Sequence, residues 1–294
     1  AGVDDFIAEA KPEDKMEYIK REQRAGKLVA MMGDGTNDAP ALNFANVGLS
    51  MGSGTSVAKD PSDITLLDDS FASVVNAVLW GRSLYANIQR FIIFQLTINV
   101  TALSIAVIGP FVGVELPLTV IQMLWINLIM DTFAALALAT EPPDPSVMER
   151  PPRRNSDFIV TPGMARWIFG TGIVLVVFFL LALFGMKGDT GAVALREQTL
   201  FFSVFVMIQF WNLFNVRAYG SGKGFFARFR GNGMFYAIAG AILIGQIVIV
   251  TFGGKAFRVT PLSLLDWVWI IAGCSVVFWI GEGIRALARL WERG

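Results

Sequence analysis

Six long apolar stretches constrain this chain more than any other feature. They fall at about residues 91–113, 117–139, 164–185, 199–216, 234–253 and 264–284. Each has the length, ~20 residues, that an α-helix needs to cross the hydrocarbon core of a bilayer. Composition agrees: 54% of the 294 residues are hydrophobic and only 16% charged, which is apolar and charge-poor for a soluble protein. No cleavable signal pattern is visible at the N-terminus, so all six are expected as mature spans.

Charge is uneven along the chain. Residues 1–81 carry 13 Asp/Glu against 7 Lys/Arg, an acidic and soluble head. With that head in the cytoplasm, six spans return the C-terminus to the same side. The loops and tail on that side then hold 11 Lys/Arg, from Arg150 to Arg293, against 4 on the other: Lys187, Arg196, Lys255 and Arg258. This is the positive-inside bias, so head and C-terminus are expected to be cytoplasmic. The partners expected are the lipid bilayer and small cations, with no nucleic acid.

The head reads as α/β. A helix is expected over Lys11–Ala25, with Pro12 and Glu13 in its first turn, and strands at Leu28–Met32, Val47–Met51 and Ile64–Leu67. A further helix from Ala72 to Gln89 runs on into the first span, as a mechanical link between head and membrane. The first strand feeds GDGTNDAPAL, Gly33 to Leu42, in which Asp34 and Asp38 flank Thr36 and Asn37 in a turn opened by Gly33 and Gly35. A strand ending in such a turn suits Mg²⁺ held against phosphate: carboxylate oxygens are hard ligands, and glycines let the backbone approach.

In the spans, an ionisable residue costs several kcal/mol and marks a functional site by default. Asp131 lies in the second span, within Asn127-Leu128-Ile129-Met130-Asp131, and Asn127, four residues earlier, shares its side of a regular helix. Asn99 is the corresponding residue of the first span. Counted from the span ends, Asn99 and Asp131 both lie ~12 Å deep at ~1.5 Å per residue. Carboxylate and amide oxygens at one level suit a hard cation, Ca²⁺ above all. The chain has no histidine, and its one cysteine, Cys274, stands alone in the last span, which disfavours copper or zinc.

GDGTNDAPAL, continued by the stretch from Asn46 to Asp69 that includes MGSGTSVAKDPSDITLLDD, resembles the hinge signature that closes the phosphorylation domain of P-type cation-transporting ATPases. The resemblance implies a partial, haloacid-dehalogenase-like α/β phosphorylation domain over residues 1–81, followed by an all-α polytopic bundle of six helices over residues 82–294. It implies that Asp34 binds Mg²⁺, that Gly33, Gly35 and Thr36 cradle the cofactor, and that Asn37 and Asp38 arrange phosphate and metal. Lys15, in Pro12-Glu13-Asp14-Lys15, takes the place of the lysine that contacts the phosphoryl group.

Asn127 to Pro143 (NLIMDTFAALALATEPP) resembles the sixth span of plasma-membrane-type calcium ATPases, so the six spans correspond to the fifth to tenth of that family. The resemblance implies a single transported-Ca²⁺ site using Asn99, Asn127 and Asp131. Sarcoplasmic-reticulum-type pumps carry a further glutamate one turn beyond the first asparagine and another two spans later. Ala102 and Gln209 stand here instead, which argues for one Ca²⁺ per cycle. Gln209 is then expected to pack or hydrogen-bond, and Cys274 to be a small core residue.

Other features qualify the reading. Ala1–Lys15 resembles the potassium-transporting P-type subunit more than a calcium pump, which keeps Mn²⁺, Na⁺ and K⁺ as alternatives. The Asp-Lys-Thr-Gly-Thr sequence of the phosphorylated aspartate and the Thr-Gly-Glu-Ser loop do not occur in these 294 residues. The chain therefore resembles the C-terminal third or so of a pump, and its expected partners include the actuator, nucleotide-binding domain and first four spans. For the complete protein the expectation is ATP-driven Ca²⁺ export across the cell membrane, with H⁺ returning. The rival classes are a non-transporting membrane phosphatase and a regulatory fragment.

Overall fold

The computed structural model describes residues 7–111, 118–153, 157–186, 191–221, 224–228 and 231–291, without the side chains of residues 130, 131, 191–193, 227 and 228. The potassium-subunit resemblance of Ala1–Phe6, the loop charges Arg154, Lys187, Lys223, Arg230 and Arg293, and the carboxylate of Asp131 lie outside the described residues. The chain divides into two units, residues 1–82 with 147–157, and residues 83–146 with 158–294.

In the first unit, α1 (Pro12–Arg24) starts with Pro12 at its first turn, where a missing N–H costs nothing. Its acidic residues Glu13 and Asp14 lie early and its basic Arg21 and Arg24 late, as the helix dipole favours. Three parallel strands follow, β1 (Ala30–Gly33), β2 (Val47–Met51) and β3 (Ile64–Leu66), in the order β1-β2-β3. Met31 pairs with Gly48 and Ser50 with Thr65. The crossovers carry the short helices α2 (Ala39–Phe44) and α3 (Ser56–Lys59), which cover the sheet with Ala41, Leu42 and Ala58.

β1 begins two residues later than the sequence suggests. The Val29 N–H donates to the Asn46 side chain at 2.9 Å, and the Val29 carbonyl accepts from the backbone of both Asn46 and Val47. Val29 is thus bonded, but outside the regular ladder.

The second unit is helical, and its first helix begins at Phe71 within the first unit. Among the described residues six helical segments are long and apolar enough to cross a membrane. They are α4 (Phe71–Phe111); a composite of α5 (Val120–Leu128), a π-helical segment (Ile129–Ala134) and α6 (Ala135–Ala139); α7 (Pro162–Gly185); α8 (Gly191–Arg217); α9 (Gly233–Phe252); and α11 (Leu264–Cys274) with α12 (Val276–Trp291). A short helix, α10 (Gly254–Phe257), follows α9. The helix expected at Ala72 is continuous through the first span, as α4.

Buried hydroxyls on these helices bond back to the preceding turn: Thr97 to the Ile93 carbonyl at 2.7 Å, Thr101 to Thr97 at 2.8 Å, Thr199 to Leu195 at 2.8 Å. The donor is satisfied without a partner helix, which hydrocarbon surroundings require. Helix starts are capped. Thr119 and Gln122 exchange reciprocal bonds at the head of α5, and Ser263 and Asp266 do so at α11.

The core lies around α8, which buries Phe202, Phe205, Met207 and Leu213. Aromatic rings dominate it. Phe214 packs edge-on against Phe210, Phe225, Phe235 and Phe278, tying α8 to α9 and α12. Cys274 is buried as expected and lines an open apolar groove of about 560 Å³ formed by α7, α8, α11 and α12.

The last span is broken at Ser275, whose hydroxyl bonds to the Ala272 carbonyl at 2.6 Å. Beyond the break α12 is held to α8 by Asn215, which donates to the Val277 carbonyl at 2.9 Å and accepts from Arg285 at 2.8 Å. Gly281 makes room for Asn215, because any Cβ there meets its amide. Gly281→Ala should therefore destabilise the helical unit by about 1–3 kcal/mol through overpacking. Denaturant titration of the purified protein in detergent checks this, and an unchanged midpoint would count against the packing described.

Candidate functional site

The acidic turn lies at the carboxyl end of β1, the side of a parallel sheet on which ligands bind in open α/β folds. The chain leaves β1 through Gly33, passes Asp34 and Gly35, and enters a 3₁₀ turn over Thr36–Asp38. Gly33 is required by contact: a Cβ there would meet Asp38 side-chain atoms at 2.5–2.8 Å. Gly54 likewise lets the next loop close on Asp34, whose carbonyl accepts from the Thr55 N–H at 3.0 Å; a Cβ at Gly54 would lie 2.9 Å from that oxygen.

The structure brings two of the expected residues together. Lys15 Nζ donates to Asp38 Oδ1 at 2.6 Å, joining α1 to the turn across 23 residues of sequence. Asp38 is only 8% exposed, and its other oxygen accepts weakly from the Gly35 N–H at 3.4 Å. Asp34, Thr36 and Asn37 are exposed at the same turn. Among the described residues the arrangement offers one carboxylate without a hydrogen-bond partner, one paired carboxylate and one ammonium. That donor set fits a hard divalent cation at Asp34 and an anion beside Lys15.

Asp68 and Asp69 end the matched stretch. Hydrogen bonds hold both carboxyls below the usual range, from Ser73 for Asp68 and from Ser53 for Asp69. Stability from such groups is present above the ordinary carboxyl pKa and lost as pH falls through the depressed value.

In the spans, the segment bearing Asp131 departs from expectation. Residues Ile129–Ala134 form a π-helix between α5 and α6. Its i→i+5 bonds insert an extra residue per turn, so the α-helical rule that Asn127 and Asp131 share one face does not carry through it, nor does the depth counted at α-helical rise. Such segments are rare and are found frequently at functional sites. Asn99 on α4 and Asn127 on α5 are both exposed, although each belongs to a membrane-spanning helix. Among the described residues no group of three or more His, Cys, Asp or Glu side chains comes together.

Gln209 lies fully inside the bundle on α8, but among the described residues neither of its amide atoms finds a hydrogen bond. Asn212, one turn on and 1% exposed, is in the same state. The hydrogen-bonding role expected of Gln209 is thus not met among the described residues. Ala102 is 6% exposed and packs in the core.

Sequence reasoning missed a fully buried ion pair of the helical unit. Arg217, one of the 11 basic residues expected in the cytoplasmic loops and tail, is 1% exposed, and its Nε donates to Glu141 Oε1 at 2.6 Å. The one signal was that both are ionisable residues at span ends, where charges ordinarily reach for water.

Fold and site together define a polytopic membrane protein carrying a small parallel α/β unit with an acidic strand-end turn. The sequence profile described as "Cation transporting ATPase, C-terminus" matches residues 115–287, and the chain belongs to this family of cation-transporting ATPases. It is similar to Calcium-transporting ATPase 8, plasma membrane-type, of Arabidopsis thaliana, 43% identical over 281 residues, covering 93% of this chain and 26% of the relative. Plasma membrane calcium-transporting ATPase 4 of Homo sapiens is 41% identical over 298 residues, 96% of this chain and 24% of the relative. Calcium-transporting ATPase PAT1 of Dictyostelium discoideum is 39% identical over 317 residues, 96% and 28%. The chain spans about a quarter of the length of the curated relatives it matches.

Gly33→Ala should drive Asp38 off Lys15 and destabilise the head by about 1–3 kcal/mol. Thermal unfolding, with amide exchange followed at Met31 and Met32, reads this out; native protection of both residues would refute the contact.

Proposed function

We propose that the complete protein is an ATP-driven Ca²⁺ export pump of the cell membrane and that this chain is its C-terminal portion. In this reading residues 1–81 are the C-terminal part of a haloacid-dehalogenase-like phosphorylation domain and residues 82–294 the last six spans. Head and C-terminus face the cytoplasm. The actuator, the nucleotide-binding domain and four preceding spans complete the protein. The observation that carries it is Asp131 on a π-helical segment of a span, in a chain 41–43% identical to proteins named calcium-transporting ATPases.

At the head, Asp34 would hold Mg²⁺, with Gly33, Gly35 and Thr36 letting backbone approach the phosphate. When bound, the metal supplies charge neutralisation to the phosphoryl oxygens. Lys15 places an ammonium beside the turn, and Asp38 fixes its position through the 2.6 Å bond. Asn37, exposed at the same turn, orients phosphate oxygens by hydrogen bonding. Preorganised charge of this kind stabilises a transferring phosphoryl group without reorganisation. The nucleophilic aspartate belongs to the remainder of the protein.

In the membrane, Asn99, Asn127 and Asp131 supply oxygens to one transported Ca²⁺. Ala102 and Gln209 offer no second pair of carboxylates, which supports one ion per cycle. The exposed amides of Asn99 and Asn127 favour a site completed by spans outside this chain, since bare amides facing hydrocarbon are costly. H⁺ returns on the vacated carboxylate.

The test is ⁴⁵Ca²⁺ uptake and cation-dependent ATP hydrolysis by the complete protein in vesicles, with Ca²⁺ compared against Mn²⁺, Na⁺ and K⁺. Asp131→Asn should abolish Ca²⁺-dependent phosphorylation by ATP while the protein stays folded; retained uptake would refute the site. Lys15→Met should lower turnover by about 10²–10³-fold. Its cost in stability should be at most about 1 kcal/mol, because the bridge is one-third exposed on the lysine side. Full turnover in that variant would remove Lys15 from the mechanism.

A further inference from the structure

The span that carries Asp131 is pinned on both sides of its π-helical segment, and both pins reach α9. Before the segment, Trp125 donates its indole N–H to Gln246 Oε1 on α9 at 2.9 Å. Gly245 lies under the same ring, and a Cβ there would be 3.3 Å from it. After the segment, the chain leaves α6 through Thr140 and Glu141. Asn232, the N-cap of α9, donates to the Thr140 carbonyl at 2.9 Å and to Glu141 Oε1 at 3.0 Å. Arg217 at the end of α8 donates to the same Glu141 oxygen at 2.6 Å and to Tyr236 Oη at 3.0 Å. Its guanidinium stacks on the Phe235 ring at 4.3 Å. Asn87 on α4 reaches the Glu141 carbonyl at 3.4 Å and accepts from Arg90 at 2.7 Å.

This pin is expensive for a merely adhesive contact. Removing both charges from water costs several kcal/mol per ion, and apolar residues of similar volume often serve stability as well or better. What an arginine–carboxylate pair adds is geometry: a planar donor fork stacked on an aromatic face has one position and one orientation. A π-helical segment departs from α-helical register, so holding both of its flanks fixes where a residue within it sits along the span.

We infer that α9, with Arg217, is a splint that sets the position of Asp131, and that Glu141, Arg217, Trp125 and Gln246 are positioning residues for the transported cation. The inference rests on the reading of Asp131 as a Ca²⁺ ligand. Glu141 and Arg217 act through Asp131 and touch no ion.

The experiment compares phosphorylation from ATP by the complete protein in vesicles as free Ca²⁺ is varied. In the double variant Glu141→Gln/Arg217→Met the buried charges leave together, so no uncompensated ion remains. The splint predicts a maximal phosphorylation level within about twofold of the parent and a Ca²⁺ half-saturation raised about tenfold. A folded double variant with unchanged half-saturation, or with a lowered maximum alone, overturns the inference and leaves the pin purely structural. Should the double variant fail to fold, Gln246→Leu decides, because it loosens the other flank within an apolar helix: a raised half-saturation supports the splint, an unchanged one overturns it. Asp131→Asn in the same assay separates the two claims. If Ca²⁺ dependence survives it, the calcium reading fails; if Ca²⁺ dependence is lost there but unmoved by the pin variants, only the splint fails.

Discussion

Hydrocarbon offers no hydrogen bond, and the architecture of the helical unit follows from that constraint. Each span must satisfy its own backbone, which makes the helix the default and any departure from it informative. Side-chain donors obey the same rule. Thr97, Thr101, Thr199 and Thr251 return their hydroxyl protons to the preceding turn. Trp211 donates its indole to the Ile271 carbonyl at the end of α11, and Gln122 bonds both its own helix cap and the Phe257 carbonyl. Where the regular pattern breaks, at the π-helical segment and at Ser275, neighbouring helices supply polar contacts to the flanks, through Gln246 and Asn232 at the first and Asn215 at the second.

The head works under the opposite condition. Water is abundant there, so exposed carboxylates carry little penalty and the organising requirement is steric. Gly33, Gly48 and Gly54 sit where a single methyl would collide with Asp38, with the Leu42 carbonyl or with the Asp34 carbonyl. Parallel strands then place the turn after β1 at the edge where helix α1 can reach it, and Lys15 arrives from α1 to meet Asp38. The same residue types in a looser loop would be a solvated acidic turn.

What could be read in advance follows from these two conditions. Span length and number were legible because six runs of apolar residues have one stable form in a bilayer, and every expected span overlaps an observed helix. The three strands were legible from their apolar runs, with β1 displaced because Val29 bonds to Asn46 outside the ladder. The π-helical segment was not legible: Ile129-Met130-Asp131-Thr132-Phe133-Ala134 is as apolar as an α-helical turn would be, and a shifted hydrogen bond leaves no mark on periodicity. The Arg217–Glu141 pair was hidden for a different reason. Its partners lie 76 residues apart, and a charge at a span end reads as a solvated anchor until the rings of Phe225, Phe235 and Tyr236 are seen around it.

The polar residues of the spans thus sort by what meets them. Asn87, Asn215, Asn232, Arg217 and Glu141 are buried and bonded to other segments of the bundle, and they fix its arrangement. Asn99 and Asn127 are exposed and present amides outward from membrane-spanning helices. An amide facing lipid gains nothing for stability, whereas an amide facing an ion or a polar span does. On the proposed reading the two groups divide the labour of a transport site, one holding the helices still and the other meeting the cation. Asp131 stands between them, on the one stretch of its span where the backbone leaves α-helical register and where both flanks are tied to α9.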